Sequence, residues 1–91
     1  MKVLVIPSEY KGKKVTAVGY GAFFSCAGLT SITIPGSVTS ISGMAFSDCA
    51  GLTSIAFTGT RAEWKTVIKG DSWADGVPAT VVHCTDGDVA I

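Results

Sequence analysis

Charge, histidine and long apolar runs are all scarce in this chain, and each shortage excludes something. Charged residues make up 15% of the 91, with seven basic residues cancelling seven acidic ones. A nucleic-acid binder needs a basic footprint, and a formal net charge of +0 supplies none. Low charge does not imply disorder, because 47% of the residues are hydrophobic and such a chain can bury a core. The length corresponds to one small domain. No apolar stretch approaches the roughly 18 residues of a membrane-crossing helix. The start offers only Val3-Leu4-Val5-Ile6-Pro7 after a single lysine, too short for a signal-peptide core and without a small-residue cleavage site. A cytoplasmic chain or a piece of a longer secreted one is therefore expected. Cys26, Cys49 and Cys84 form no C-x-x-C pair, so neither a disulfide framework nor a common zinc site is expected.

What the chain does have is repetition. Residues 15–37 (VTAVGYGAFFSCAGLTSITIPGS) are followed at once by residues 38–60 (VTSISGMAFSDCAGLTSIAFTGT). The two blocks share Val15/Val38, Thr16/Thr39, Ala22/Ala45, Phe23/Phe46, Gly36/Gly59 and the run 26–32 against 49–55. The zero net charge also hides an asymmetry. Lys2, Lys11, Lys13 and Lys14 stand against Glu9 at the start, whereas Asp71, Asp75, Asp86 and Asp88 share residues 71–91 with no Lys or Arg. A stack of repeats would carry a basic and an acidic end.

A period of 23 residues belongs to leucine-rich-repeat solenoids, in which each unit covers the open face of the last. The expected fold is an α+β repeat solenoid: a right-handed coil of 23-residue units with short strands and one C-terminal cap helix. Leu29-x-x-Ile32-x-Ile34 recurs as Leu52-x-x-Ile55-x-Phe57, and residues two apart on a strand share a face. Ile32, Ile34, Ile55 and Phe57 then point inward, and Ser31, Thr33, Ser54 and Ala56 outward. Pro35-Gly36 and Thr58-Gly59 turn the chain. Val38 and Ile41 predict a short extended return segment, and Ala-Phe-x-x-Cys predicts one helical or 3₁₀ turn that drives Phe23 and Phe46 into the core. Residues 3–14 read as a partial first repeat and turn, since Ile6-Pro7 answers Ile34-Pro35. The edge Val3, Leu4, Val5, Ile6 is left open, and something is expected to cover it. Thr60-x-x-Glu63 is a capping box opening a helix at about 61–69, with Trp64, Val67 and Ile68 on one face. A last strand at about 79–84 completes a cap spanning 60–84, and 85–91 reads as a fraying tail.

The residues Val-Thr-x-Ile/Val, Ala-Phe-x-x-Cys-x-x-Leu-Thr-x-Ile and Ile-Pro-x-Ser-Val resemble the BspA-type leucine-rich repeats of bacterial surface proteins. Gly59-Thr60-Arg61-Ala62-Glu63-Trp64 is similar to the Gly-Thr-x-x-x-Trp element that often follows their last repeat. The resemblance covers residues 3 to about 84 and implies surface display or secretion, with adhesion to host proteins or other cells. It implies no fixed binding motif, and this chain is short and without an export signal.

The chemistry-bearing residues have plain structural readings beside their functional ones. Cys26 and Cys49 fall one coil apart, near the roughly 4.8 Å strand spacing, where a disulfide and a ladder of buried thiols both fit. Packing favours the ladder. His83 and Cys84 are adjacent on a strand and point to opposite faces, so they cannot act as a base and nucleophile pair. Asp86-Gly87-Asp88 lacks the further ligands of a calcium loop and reads as a solvated turn. Trp64 reads as core; Trp73, in a polar loop, is open to packing or to binding. Lys11, Lys13 and Lys14 read as a solvated turn sooner than an anion site.

Three functions are compatible with this chain. The first is a non-catalytic protein-interaction or adhesion module, with the candidate face Ser31, Thr33, Ser54, Ala56 and Thr80. The second is a structural terminal segment of a longer solenoid, or a protomer that pairs with itself as a homodimer through Val3 to Ile6. The third is an enzyme, for which no metal cluster, phosphate loop or triad-like set is written in the chain. No cofactor, metal, nucleic-acid partner or membrane insertion is expected.

Overall fold

Short runs with apolar residues two apart, separated by glycine and proline turns, cannot bury both ends of a strand pair alone, so they stack. The computed structural model describes residues 2–91. In chain order the elements are β1 (Lys2–Val5), β2 (Glu9–Tyr10), β3 (Lys13–Lys14), β4 (Ala17–Val18), β5 (Leu29–Ile34), β6 (Ser40–Ile41), β7 (Ser54–Phe57), α1 (Arg61–Thr66), β8 (Ile68–Lys69), β9 (Val81–Cys84) and β10 (Gly87–Ala90). One sheet runs β1-β5-β7-β9-β10, parallel except for β10, which returns antiparallel along β9. A second sheet, β4-β6-β8, is parallel throughout. The result is a β-solenoid-like stack of about three turns with one short helix.

A third hydrogen-bonded side closes each coil. The amides of Gly21, Phe23 and Ser25 donate to the carbonyls of Gly43, Ala45 and Ser47, and those of Met44, Phe46 and Asp48 donate to Asp71, Trp73 and Asp75. The helical or 3₁₀ turn expected at Ala-Phe-x-x-Cys is instead a run of tight turns. Each is broken by a residue with positive φ: Gly21 and Ser25 in the first coil, Met44 and Asp48 in the second, Ser72 and Gly76 in the third. A continuous helix would spend its amides within itself and leave none for the neighbouring coil.

The inward positions are sealed. Ile32, Ile34, Ile55 and Phe57 are buried, with Leu29, Leu52, Val38, Ile41 and Val82 around them. Phe23 stacks on Phe46 with ring centroids 5.2 Å apart and planes within 2°. Register pairs Ile32 with Ile55 and Ile34 with Phe57, so like side chains sit over like.

Past Thr60 the structure differs from the expectation in three ways. The helix ends at Thr66 rather than near residue 69. Val67 is extended because the amides of Ile68 and Gly70 donate to Thr39 and Ile41 of the coil beneath. Ile68 is therefore 73% exposed instead of sharing a buried face with Trp64 and Val67. The last strand begins at Val81, two residues later than expected. Residues 87–90, expected within a fraying tail, form β10, with Val89 packed on the core.

The joints between the two sheets vary in length. The second coil passes from β5 to β6 through Pro35, Gly36 and Ser37 alone before Val38 is buried. At the same place the first coil carries the β2–β3 hairpin and the third carries α1. The hairpin turns on Lys11 and Gly12, with φ of 51° and 79°, the two consecutive positive values that a tight primed turn demands.

Candidate functional site

The outer surface of the long sheet is assembled by strand alternation. Ser31, Thr33, Ser54 and Ala56 lie half-buried on it, with Ser31 opposite Ser54 and Thr33 opposite Ala56. Val3 and Val5 of β1 extend these rows at one side, being 66% and 63% exposed. His83 pairs with Ala56 and extends the row on the other side. Thr80 is exposed but lies just before β9, so Val81 and His83 are the residues that β9 presents outward. Thr80 has the inward parity of Val82, so the outward row falls on the odd-numbered residues of β9.

His83 has a partner that only the β10 return supplies. Its Nδ1 lies 2.8 Å from Asp88 Oδ1, across the β9–β10 pair. Asp86 accepts the amide of Arg61 at 2.8 Å and sits 3.6 Å from the Arg61 guanidinium, so its carboxylate anchors the start of α1. Both aspartates of Asp86-Gly87-Asp88 are thus engaged with protein groups. Trp73 is half-buried and meets Phe46 edge-on at 6.3 Å and Trp64 at 5.7 Å, so it packs. Trp64 is buried against Phe57 at 5.1 Å, and the Lys69 ammonium lies 4.7 Å over its ring. Lys69 also donates to the Val67 carbonyl at 2.9 Å, and burial pulls its pKa down.

All three cysteines are free thiols. Cys49 is fully buried and its thiol donates to the Phe23 carbonyl at 2.9 Å. Burial pushes its pKa up, as does the neighbouring Cys26, against an opposing hydrogen bond from the Cys26 backbone. Cys84 is raised by burial first and then by Asp86 and Asp88. Both thiols therefore hold their protons in the fold to higher pH than in the unfolded chain. The unfolded state ionises first, so stability is intact below about pH 8.5 and falls as pH rises above it. The expected result is a urea midpoint that drops between neutral pH and pH of about 9.5 in the wild type, and less steeply in Cys49→Ala. Lys69 tilts the other way, since its depressed pKa favours the fold as pH rises, and comparing the two proteins cancels it.

The two ends of the stack differ. At the C-terminal end Trp64, Trp73 and α1 close the core. At the N-terminal end an apolar cavity of about 300 Å³ opens between Leu4, Phe23, Cys26, Gly28 and Leu29. β1 is the edge strand there, and the hairpin that follows it in the chain carries the exposed Lys11, Lys13 and Lys14.

A family model described as a BspA-type leucine-rich repeat region in 6 copies matches residues 5–66, over stacked coils of this kind. This chain belongs to that family. No curated protein and no solved structure matches it. BspA-type repeats serve as protein-interaction modules, generally without enzymatic chemistry, and are typically surface-associated. Among the described residues no helix is long and apolar enough to cross a membrane, and no cluster of three or more metal-ligating side chains is present.

Proposed function

We infer that this chain is a non-catalytic adhesion module of a bacterial surface-type protein, whose partner is a protein laid across the outer face of the long sheet. The observation that carries this reading is the row of small, half-buried side chains Ser31, Thr33, Ser54 and Ala56, with Thr80 at its margin. Small residues on parallel strands make a flat surface that an extended partner can approach closely. They supply no large anchor, so affinity comes from area and backbone approach and is weak for a module of this size.

The organisation proposed with it is a right-handed coil of 23-residue units, 15–37 and 38–60, between a partial unit at 3–14 and a cap at 60–84. Pairing of Ser31 with Ser54 and donation from Thr39 to Thr16 support that period, and parallel crossovers are overwhelmingly right-handed. Secretion or surface display rests on the family alone.

The test is binding of the chain to a panel of immobilised host-surface and matrix proteins, read by biolayer interferometry. Wild type is expected to bind at least one of them. The double variant Thr33→Trp and Ala56→Trp should bind it about tenfold more weakly at unchanged thermal stability, because bulky side chains lift a flat partner off the sheet. Unaltered binding by the double variant removes this face as the site.

A further inference from the structure

The β2–β3 hairpin is more chain than the path from β1 to β4 requires. The second coil makes the equivalent passage through Pro35, Gly36 and Ser37 alone. β2 and β3 pair with each other and with neither of the larger sheets. Residues 8–14 are exposed throughout. A further coil laid on the stack would pair with β1 and β4 and not with β2 or β3, so this exposure is a property of the hairpin itself. Its own bonds order it. Lys11 and Gly12 form its primed turn, Glu9 pairs with Lys14 and Tyr10 with Lys13, and the Val15 amide donates to the Ser8 carbonyl at 2.8 Å across its base.

This register sorts the charges. Side chains directly opposite each other on paired strands share a face, and neighbours along one strand lie on opposite faces. Tyr10 and Lys13 therefore share one face, and Glu9 and Lys14 share the other. At the turn the Lys11 ammonium lies 5.4 Å from the Tyr10 ring centroid, which brings it to the Tyr10 face. That face holds two ammonium groups about an exposed aromatic ring and no hairpin carboxylate. The one acid, Glu9, stands with Lys14 on the other. None of the three lysines is in an ion pair among the described residues. Residue order shows three lysines in a solvated turn; strand pairing parts Lys14 from the other two and joins Tyr10 to them.

We propose that the Tyr10 face of the hairpin binds an anionic polysaccharide, the Tyr10 ring lying against a sugar and the Lys11 and Lys13 ammonium groups on its sulfates or carboxylates. A sugar ring offers an apolar C–H face, and in such polymers acidic groups at its rim. An aromatic ring flanked by two compact cations complements both. Nucleic acid is a poorer occupant, because salt-sensitive binding to it rests on roughly six to ten phosphate contacts and this chain has a net charge of +0. An anionic membrane is poorer too, since it calls for a cluster of about four to eight basic residues. The hairpin is not part of the long sheet, so this site stands or falls separately from the adhesion face.

The experiment uses the 91-residue chain and a fluorescein-labelled heparin tetrasaccharide, read by fluorescence anisotropy. The expected result is saturable binding that weakens from about 0.1 M to about 1 M salt, as the screening length falls from roughly 10 Å to 3 Å. The same tetrasaccharide stripped of its sulfates should bind far more weakly. Lys11→Gln with Lys13→Gln should weaken binding about tenfold, with the melting temperature unchanged because the hairpin lies outside both larger sheets. Tyr10→Ser should weaken it about fivefold with every charge still present. Lys14→Gln, the same loss of charge on the opposite face, should cost less than about twofold. Equal losses for Lys13→Gln and Lys14→Gln overturn the proposal, as does full binding by Tyr10→Ser, because attraction is then to charge in general. Failure of the wild type to bind at about 0.1 M salt also overturns it. So does equal binding of a single-stranded oligonucleotide or a polyglutamate peptide of matched charge, or of vesicles rich in anionic lipid.

Discussion

Phe46→Ala should cost the solenoid about 3–5 kcal/mol, a large part of the 5–15 kcal/mol that holds a domain of this size together. Phe46 is fully buried, stacks on Phe23 above and meets Trp73 edge-on below. Removing its ring leaves a void between two coils whose backbones are tied by three ladders and cannot collapse into it. The melting temperature should fall by roughly 20 °C or more. Phe23→Ala, in contrast, enlarges a cavity that is already open at the N-terminal end, and its penalty should be smaller. Thermal melts of the two variants check the order. Equal losses would mean that the N-terminal end is packed as tightly as the middle.

The second large effect is expected at Gly70→Ala. A Cβ at this position would overlap the Gly43 nitrogen and lie 2.9 Å from both the Gly43 Cα and the Ser42 carbonyl carbon. These are backbone atoms of the neighbouring coil, so no rotamer change relieves the overlap. The same glycine donates its amide to Ile41 at 2.7 Å, which holds β8 against β6. Separating the two coils enough to admit a methyl group stretches that bond and uncovers core. The expected cost is about 3 kcal/mol, the upper part of the range for overpacking. Gly28→Ala is the control: nothing lies within 4 Å of its Cβ, and its effect should stay within about 0.5 kcal/mol. Urea midpoints measure both. Indistinguishable midpoints would show that the coil spacing has slack at Gly70.

The inner half of the repeats was legible because one physical rule dominates there. Leu29, Ile32, Ile34 and their partners Leu52, Ile55, Phe57 obey strand alternation, and all six are buried. The third coil was not legible, although its corner reproduces the backbone of the second. Ser72 and Gly76 take the positive φ of Met44 and Asp48, while the side chains between them are different. Hydrogen bonds to the coil beneath impose that shape, and such bonds leave no mark on residue identity. The same cause ended α1 early: Val67 and Ile68 continue a helical apolar pattern, but their neighbours in the stack offer carbonyls that a helix would forgo. β10 left a faint signal, since Gly87 directly follows the Thr85-Asp86 turn and Val89 alternates with exposed Asp88 and Ala90. Of the outward face, Ser31, Thr33, Ser54 and Ala56 follow directly from alternation. Placing Thr80 outward sets the alternation of β9 one residue out of phase and so passes over His83, and its bond to Asp88 was hidden by a tail read as unpaired.

The joints of unequal length have a consequence for how such a chain can change. Three residues suffice to cross from one sheet to the other in the second coil, yet a hairpin or a helix crosses the same gap elsewhere with both ladders still in register. Lengthening a loop costs little, about 0.6 kcal/mol for each doubling. Insertion at any other point would displace a strand by a residue and turn its apolar side chains to water. New segments are therefore tolerated at one corner of the prism and nowhere else around it, so recognition elements gained by insertion would accumulate along a single vertical seam.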